Sequence, residues 1–222
     1  MSNKDIFEEL LTIWRNLTKE EQNEARSTIT FAKYDHDTFV TTSVFSVDCL
    51  IFVRSGGIRE YAISHQGREI TLNRFSAGDT FFYTRALFEQ KNQCIVGTIQ
   101  KGTELYLIPF TTVYKVMVHH EELFHAFINT AENLYINTAN TLTSGVFDSV
   151  RSRLAHYILQ ESLRGGKGIV LATHEELANE LGSTRVVISR ELEHLAKAGA
   201  IDIHRGRITI KDREKLQEVA ES

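Results

Sequence analysis

Apolar residues recur at helical steps near the start of the chain, where Ile6, Leu10, Leu11, Trp14 and Leu17 fall on one face within a stretch, 5–30, that reads as helix. A second short helix is expected from Thr18, because Thr18-x-x-Glu21 has the form of a capping box that satisfies free N–H groups at a helix start. From about 31 to 109 the period changes. The runs CLIFV (49–53), IREYAI (58–63), REITLNRF (68–75), CIVGTI (94–99) and ELYLI (104–108) alternate with turn signals such as Ser55-Gly56-Gly57, Ser64-His65-Gln66-Gly67 and Ser76-Ala77-Gly78-Asp79. Strands this short, spaced by about ten residues, predict a sandwich, roll or barrel. Pro109, the sole proline, closes the last of them before a helix.

Residues 110–144 return to helical period. Phe124, Phe127, Ile128, Ala131, Leu134, Tyr135, Thr138 and Leu142 recur at three- and four-residue steps, a stripe suited to pairing with a copy of itself. Packing on the chain's own strands is the alternative, and Gly145 is a candidate hinge. A second unit follows over 148–222. Asp148 is expected to cap a helix carrying Val150, Leu154, Tyr157, Ile158 and Leu159; a Gly-rich loop (165–168) and a short strand, IVLAT, come next.

Two short helices then meet at a tight turn. Thr173-x-x-Glu176 is another capping box, Gly182 supplies the turn, and Ser183 or Thr184 caps a helix from about Arg185 to Ala198, which Gly199 stops. This is the pattern of a helix-turn-helix, whose second helix enters the major groove. On that helix Ile188, Leu192 and Leu195 point inward, whereas Arg185, Val186, Ser189 and Arg190 fall on the outer side. Arginine suits guanine O6/N7 or phosphate, and serine suits either base edge or backbone. The closing run AIDIHRGRITI predicts a hairpin with Ile201, Ile203, Ile208 and Ile210 alternating inward and Arg205 and Arg207 at its tip, where they suit phosphates.

Composition changes this picture little. The chain has 222 residues, enough for two modest domains, and 24% of them are charged. No apolar run reaches the roughly 18 residues of a membrane span, and the acidic start is unlike a secretory signal, so a cytoplasmic protein is expected. The net charge of −4 does not advertise nucleic-acid binding; residues 1–145 hold 13 Lys/Arg against 17 Asp/Glu, and 146–222 hold 12 of each. Two cysteines, Cys49 and Cys94, are too few for a disulfide scaffold; they read as small buried strand residues, with a redox-sensing thiol as the sharper alternative.

With these residues in place the chain resembles the Crp/Fnr superfamily. THEELANELGSTRVVISRELEHLAKAGAI followed by RGRITI is similar to that family's helix-turn-helix and wing, RSRLAHYIL to its preceding helix, SGGIREY and QGREITL to its β-roll strands, and SAGDTF to the turn after them. The likeness runs from about Phe31 to Ile210. It implies an α+β fold: a double-stranded β-roll of the cyclic-nucleotide-binding kind (1–118), a dimerisation helix and hinge (119–145), and a winged helix-turn-helix (146–222). It implies a homodimeric bacterial transcription regulator that is not an enzyme, bound to double-stranded DNA and touching RNA polymerase if it activates. Arg185, Ser189 and Arg190 would read bases, with Thr173, Ser183, Thr184, Arg205 and Arg207 also at the DNA. Val186 departs from the pattern: the family places there a Glu that accepts from cytosine N4, and valine offers only apolar contact, for instance to a thymine methyl.

The sensor departs further. Where cyclic-AMP-binding members carry a Gly-Glu pair for the ribose and an Arg-Ser pair for the phosphate, this chain has Phe82-Tyr83 and Gln93-Cys94. That argues against cyclic AMP, since the charge-assisted phosphate partner is lost. Two thiols argue against an iron–sulfur cluster, which takes four. A small molecule or oxidant is expected to act near Phe82, Tyr83, Arg85, Gln93 and Cys94. No cofactor is expected, although His119, His120 and His125 beside Glu121 and Glu122 keep metal or haem ligation open against a plain solvated helix start. The rival classes are a cupin-like metal enzyme using His36, His65 or His119, a regulator that needs no effector, and a winged helix that binds protein.

Overall fold

The computed structural model describes residues 16–40, 47–84, 95–164 and 168–222. Of the sequence expectations, those on Ile6 to Trp14, Arg85, Gln93, Cys94 and the loop at 165–167 lie outside these residues. Contacts divide the chain into two compact units, Met1–Tyr61 with Leu72–Thr138 and Ala62–Thr71 with Ala139–Ser222.

The first unit opens with helix α1 (Lys19–Thr28), where the expected capping box closes: the Glu21 N–H donates to Thr18 Oγ1 at 3.3 Å, and the Thr18 N–H donates to the Glu21 carboxylate at 2.8 Å. Among the described residues eight strands follow: β1 (Thr30–Lys33), β2 (Thr38–Val40), β3 (Cys49–Ser55), β4 (Gly57–Ile63), β5 (Glu69–Ser76), β6 (Thr80–Tyr83), β7 (Ile95–Ile99) and β8 (Glu104–Pro109). They form two four-stranded sheets, ordered β1-β8-β3-β6 and β2-β7-β4-β5, which is the roll. All the strand runs expected from sequence are present, and β1, β2 and β6 are added.

CLIFV is apolar without alternation because β3 is buried on both faces. Cys49, Ile51 and Val53 belong to one apolar cluster with Phe81 and Ile99, whereas Leu50 and Phe52 belong to a second with Val113, Val116 and Leu123 from the helices. A bulge between Val53 and Ser55 shifts the β3–β8 register and leads into Gly56. Gly56 has φ +79°, and a Cβ there would lie 2.4 Å from Thr103 Oγ1, so both the backbone and the space require glycine.

After β8 the chain makes α2 (Phe110–Met117) and α3 (Glu121–Phe147). The helix is continuous through Gly145, the candidate hinge, and ends at Phe147. The apolar stripe also splits in two. Phe127 and Leu134 pack on the roll's clusters, whereas Phe124, Ile128, Tyr135 and Leu142 remain exposed, Tyr135 by 75%.

The second unit carries α4 (Val150–Arg164), β9 (Ile169–Val170), α5 (His174–Leu181), α6 (Arg185–Lys197), β10 (Ile201–His204), β11 (Arg207–Ile210) and α7 (Arg213–Ala220), the last not foreseen. Ser149, not Asp148, accepts at the start of α4, from the Ser152 N–H at 3.1 Å. The three short strands form one sheet, β10-β11-β9. Leu154, Ile158, Leu177, Ile188 and Leu192 are fully buried and join the helices in one core.

Candidate nucleic-acid interface

Helix α5 begins at a complete capping box, with the Thr173 N–H donating to Glu176 at 2.6 Å and the Glu176 N–H to Thr173 at 3.2 Å. Gly182 ends it with φ +63°, a left-handed cap that turns the chain within two residues. Thr184 then caps α6, its hydroxyl accepting from the Val187 N–H at 3.4 Å. Of the two caps the sequence left open, Ser183 instead donates its backbone N–H to Ala178 O. The turn fixes which way α6 faces: Ile188, Leu192 and Leu195 are 0–1% exposed, as their spacing requires.

The opposite face is open. Thr184, Arg185, Val186 and Arg190 are exposed, Val186 by 79%. An apolar side chain held this far into solvent has no core to serve, and its place between two arginines suits a thymine methyl. Ser189 is half-buried, and its hydroxyl oxygen lies 2.7 Å from Nδ1 of His174, the first residue of α5. Arg190 donates Nε to Glu191 at 3.1 Å and keeps its side chain 63% exposed. Thr173 is exposed beside the start of α5. The β10–β11 hairpin pairs His204 with Arg207 and Ile201 with Ile210, turning through the exposed Arg205 and Gly206. Arg205 and Arg207 therefore project from the wing, while Ile208 is buried.

Three residues of this surface were missed in the sequence: His174, Glu191 and Arg151. Glu191 is buried and takes hydrogen bonds from Arg190 and from Arg151 of α4, the latter at 2.8 Å. Burial pushes its carboxyl up, but the surrounding donors, Arg151 foremost, hold it below the usual carboxylate range. A partner 40 positions away leaves no periodic trace; only the unusual Glu on an otherwise apolar face could have pointed to it.

Of the expected sensor residues, Phe82 and Tyr83 lie among the described ones. The Phe82 ring lies 4.8 Å from Phe127 and 6.2 Å from Phe110, in aromatic packing, and Tyr83 is fully buried opposite Cys49 across β6 and β3. Burial, then the Asp48 charge, pushes the Cys49 thiol up to about 12, the opposite of a reactive thiolate. A polar cluster lies elsewhere in this unit. The Asn73 amide nitrogen on β5 donates to Glu60 on β4 at 2.6 Å and to Thr138 on α3 at 3.4 Å, while Asn73 Oδ1 is buried with no partner among the described residues. Burial raises the Glu60 carboxyl, against the pull of the Asn73 hydrogen bond. His120 instead pairs with Glu21 at 2.8 Å and His125 with Glu121 at 3.4 Å. Among the described residues no three His, Cys, Asp or Glu side chains come together as a metal site, so His36, His65 and His119 are not gathered. No helix among them is long and apolar enough to cross a membrane.

The Crp-like helix-turn-helix domain family matches residues 152–219. The chain is 28% identical over 177 residues to the transcriptional regulator SdrP of Thermus thermophilus, covering 77% of this chain and 83% of that one. It is 27% identical over 179 residues to the cyclic AMP receptor protein of the same organism, covering 77% and 79%. Among solved structures, a transcriptional regulator of the Crp/Fnr family from Eubacterium rectale superposes with a TM-score of 0.75 at 24% identity, covering 96% of this chain and 99% of that one. A mutant of CooA from Carboxydothermus hydrogenoformans superposes with a TM-score of 0.71 at 20% identity, covering 87% and 88%. At these identities the structural likeness establishes the fold, including the roll and the winged unit.

Proposed function

We propose that this chain is a DNA-binding transcription regulator of the Crp/Fnr type, and that two copies bind one duplex with paired α6 helices in successive major grooves; the Crp-like helix-turn-helix match over residues 152–219 and the likeness to SdrP and the cyclic AMP receptor protein of Thermus thermophilus support this reading. The observation that carries this is the exposed Arg185–Val186–Arg190 face of α6, backed by a fully buried apolar face. Arg185, Val186, Ser189 and Arg190 meet base edges; Thr173, Ser183, Thr184, Arg205 and Arg207 meet the backbone. The exposed line Phe124, Ile128, Tyr135, Leu142 advances by four, seven and seven residues, the spacing of a coiled-coil seam, and supports pairing of the two α3 helices. The working parts are then the roll (1–118), the pairing helix (119–145) and the reading unit (146–222), acting in the cytoplasm.

The roll supplies the signal input, and its ligand is a small molecule or oxidant other than cyclic AMP. Phe82 and Tyr83 are committed to packing, so the buried Glu60–Asn73–Thr138 cluster, with an unanswered carbonyl beside α3, is the better-supported sensing locus. Contact with RNA polymerase follows if the regulator activates. In-vitro site selection, followed by titration of R185A and R190A on the selected site, tests the reading. Each variant is expected to lose about 1–3 kcal/mol of specific binding with an unchanged melting temperature. A selection that enriches no sequence would defeat it.

A further inference from the structure

Behind the reading face lies a carboxylate that such a face does not ordinarily need. Glu191 is 6% exposed and sits on α6 directly after Arg190. Its Oε1 accepts from Arg190 Nε at 3.1 Å and its Oε2 from Arg151 Nε at 2.8 Å. His194 closes the cluster: its Nδ1 lies 2.7 Å from the Arg151 terminal nitrogen and 3.3 Å from Glu191 Oε2. A carboxylate at a DNA-facing helix repels phosphates, so its retention calls for a compensating role.

The grip on Nε gives that role. A guanidinium is planar, with donors in a fixed fork. Holding Nε from the buried side fixes the plane of the group and leaves the two terminal amino groups, on the 63% exposed side chain, to act together. Those two donors are what bidentate recognition of guanine O6 and N7 requires, whereas a phosphate is satisfied by almost any approach. Arg151 supplies the second cation, so the cluster carries two guanidinium charges against one carboxylate.

We infer that Glu191 is a specificity-determining positioning residue: by clamping Arg190 at Nε, with Arg151 completing the clamp, it aims the arginine at a base pair rather than at the backbone. The inference rests on the DNA-reading assignment above. It has a signature that a merely structural residue lacks. Removing the charge of Glu191 should cost discrimination without costing attraction, because one negative charge leaves the surface while the arginine stays.

The experiment uses full-length protein and three duplexes: the selected site, the same site substituted at the base pair whose preference R190A abolishes, and a random sequence. Native protein that binds no site, or an R190A that reads every base pair as before, would remove the DNA-reading assignment itself. With that step passed, E191Q is expected to lose about tenfold in discrimination at the Arg190 base pair, while binding the random duplex as tightly as native protein or more so. Retained discrimination, or an equal loss on all three duplexes, overturns the inference. Should E191Q fail to fold, R151A, which alters an exposed side chain of α4, is read by the ratio of affinities alone, because losing a cation weakens binding to every duplex: lost discrimination at the Arg190 base pair supports the inference and retained discrimination overturns it.

Discussion

Glu191 in the reading unit and Glu60 in the roll are both glutamates with less than a tenth of their surface exposed, yet their surroundings differ. Glu191 is met by two guanidinium groups and stays ionised below its ordinary range. Glu60 is met by one amide, that of Asn73, and burial drives its carboxyl up. The first is electrostatically settled by its two guanidinium partners, beneath the face proposed above to meet DNA. The second leaves a carboxyl inclined to hold its proton next to a carbonyl, Asn73 Oδ1, with no donor among the described residues. Under the sensing role proposed above, that is where a ligand or a proton would be taken up.

The comparison is broken most severely by collapsing the core beneath the reading face. L192A removes a fully buried side chain of α6 and is expected to cost about 2–5 kcal/mol. Hydrogen exchange should then accelerate in α4–α7 while β3 and β8 keep their protection; uniform acceleration would mean that the two units do not fold separately. A smaller change is expected from H174A, which frees the Ser189 hydroxyl now 2.7 Å from the imidazole. Base preference at one position should shift by about 0.5–1.5 kcal/mol, read by repeating site selection with the variant.

The two glutamates themselves give opposite pH signs. With its folded pKa raised above the ordinary 4.5, Glu60 lends stability that is present below 4.5 and lost as pH rises through the folded value. E60Q should therefore gain on native protein with rising pH and match it at the acid end. Glu191, lowered, lends stability present above 4.5 and lost as pH falls through its folded value, so E191Q should lose most near neutrality. Urea midpoints from about pH 4 to 8 would separate the two, and parallel curves would refute the contrast. The smallest effect is expected at α1. The hydrogen bond from His120, then those from Thr18, hold Glu21 at about 2. H120A should let it rise toward 4.5 in an NMR titration, with less than about 1 kcal/mol change in stability at neutral pH.

What was legible in the chain was local. Both capping boxes, the turn at Gly182, the inward face of α6 and the isoleucine alternation of the wing each depend on residues within ten positions of one another, and the structure holds them as read. Strands β1, β2 and β6 were not legible because three or four residues carry no period; their place is set by partners such as Leu107 for Thr30 and Ile99 for Thr38. In α3 one stripe hid two surfaces, since Phe127 and Ile128 are neighbours in sequence but meet the roll and solvent respectively. The Arg151–Glu191 clamp spans 40 positions, and charge counting over 146–222 could not register it.

Gly56 sets a limit on how this chain can vary. Its positive φ is shared with Gly67 and Gly78, but those two face open space, whereas Thr103 fills the place where a side chain at position 56 would begin. The Thr103 hydroxyl also accepts from the Gly57 N–H and donates to the Gly57 carbonyl, at 3.0 and 3.1 Å, so it cannot simply be shortened to make room. Saturation mutagenesis of the three turns should therefore leave asparagine and aspartate among the survivors at 67 and 78 and only the native residue at 56.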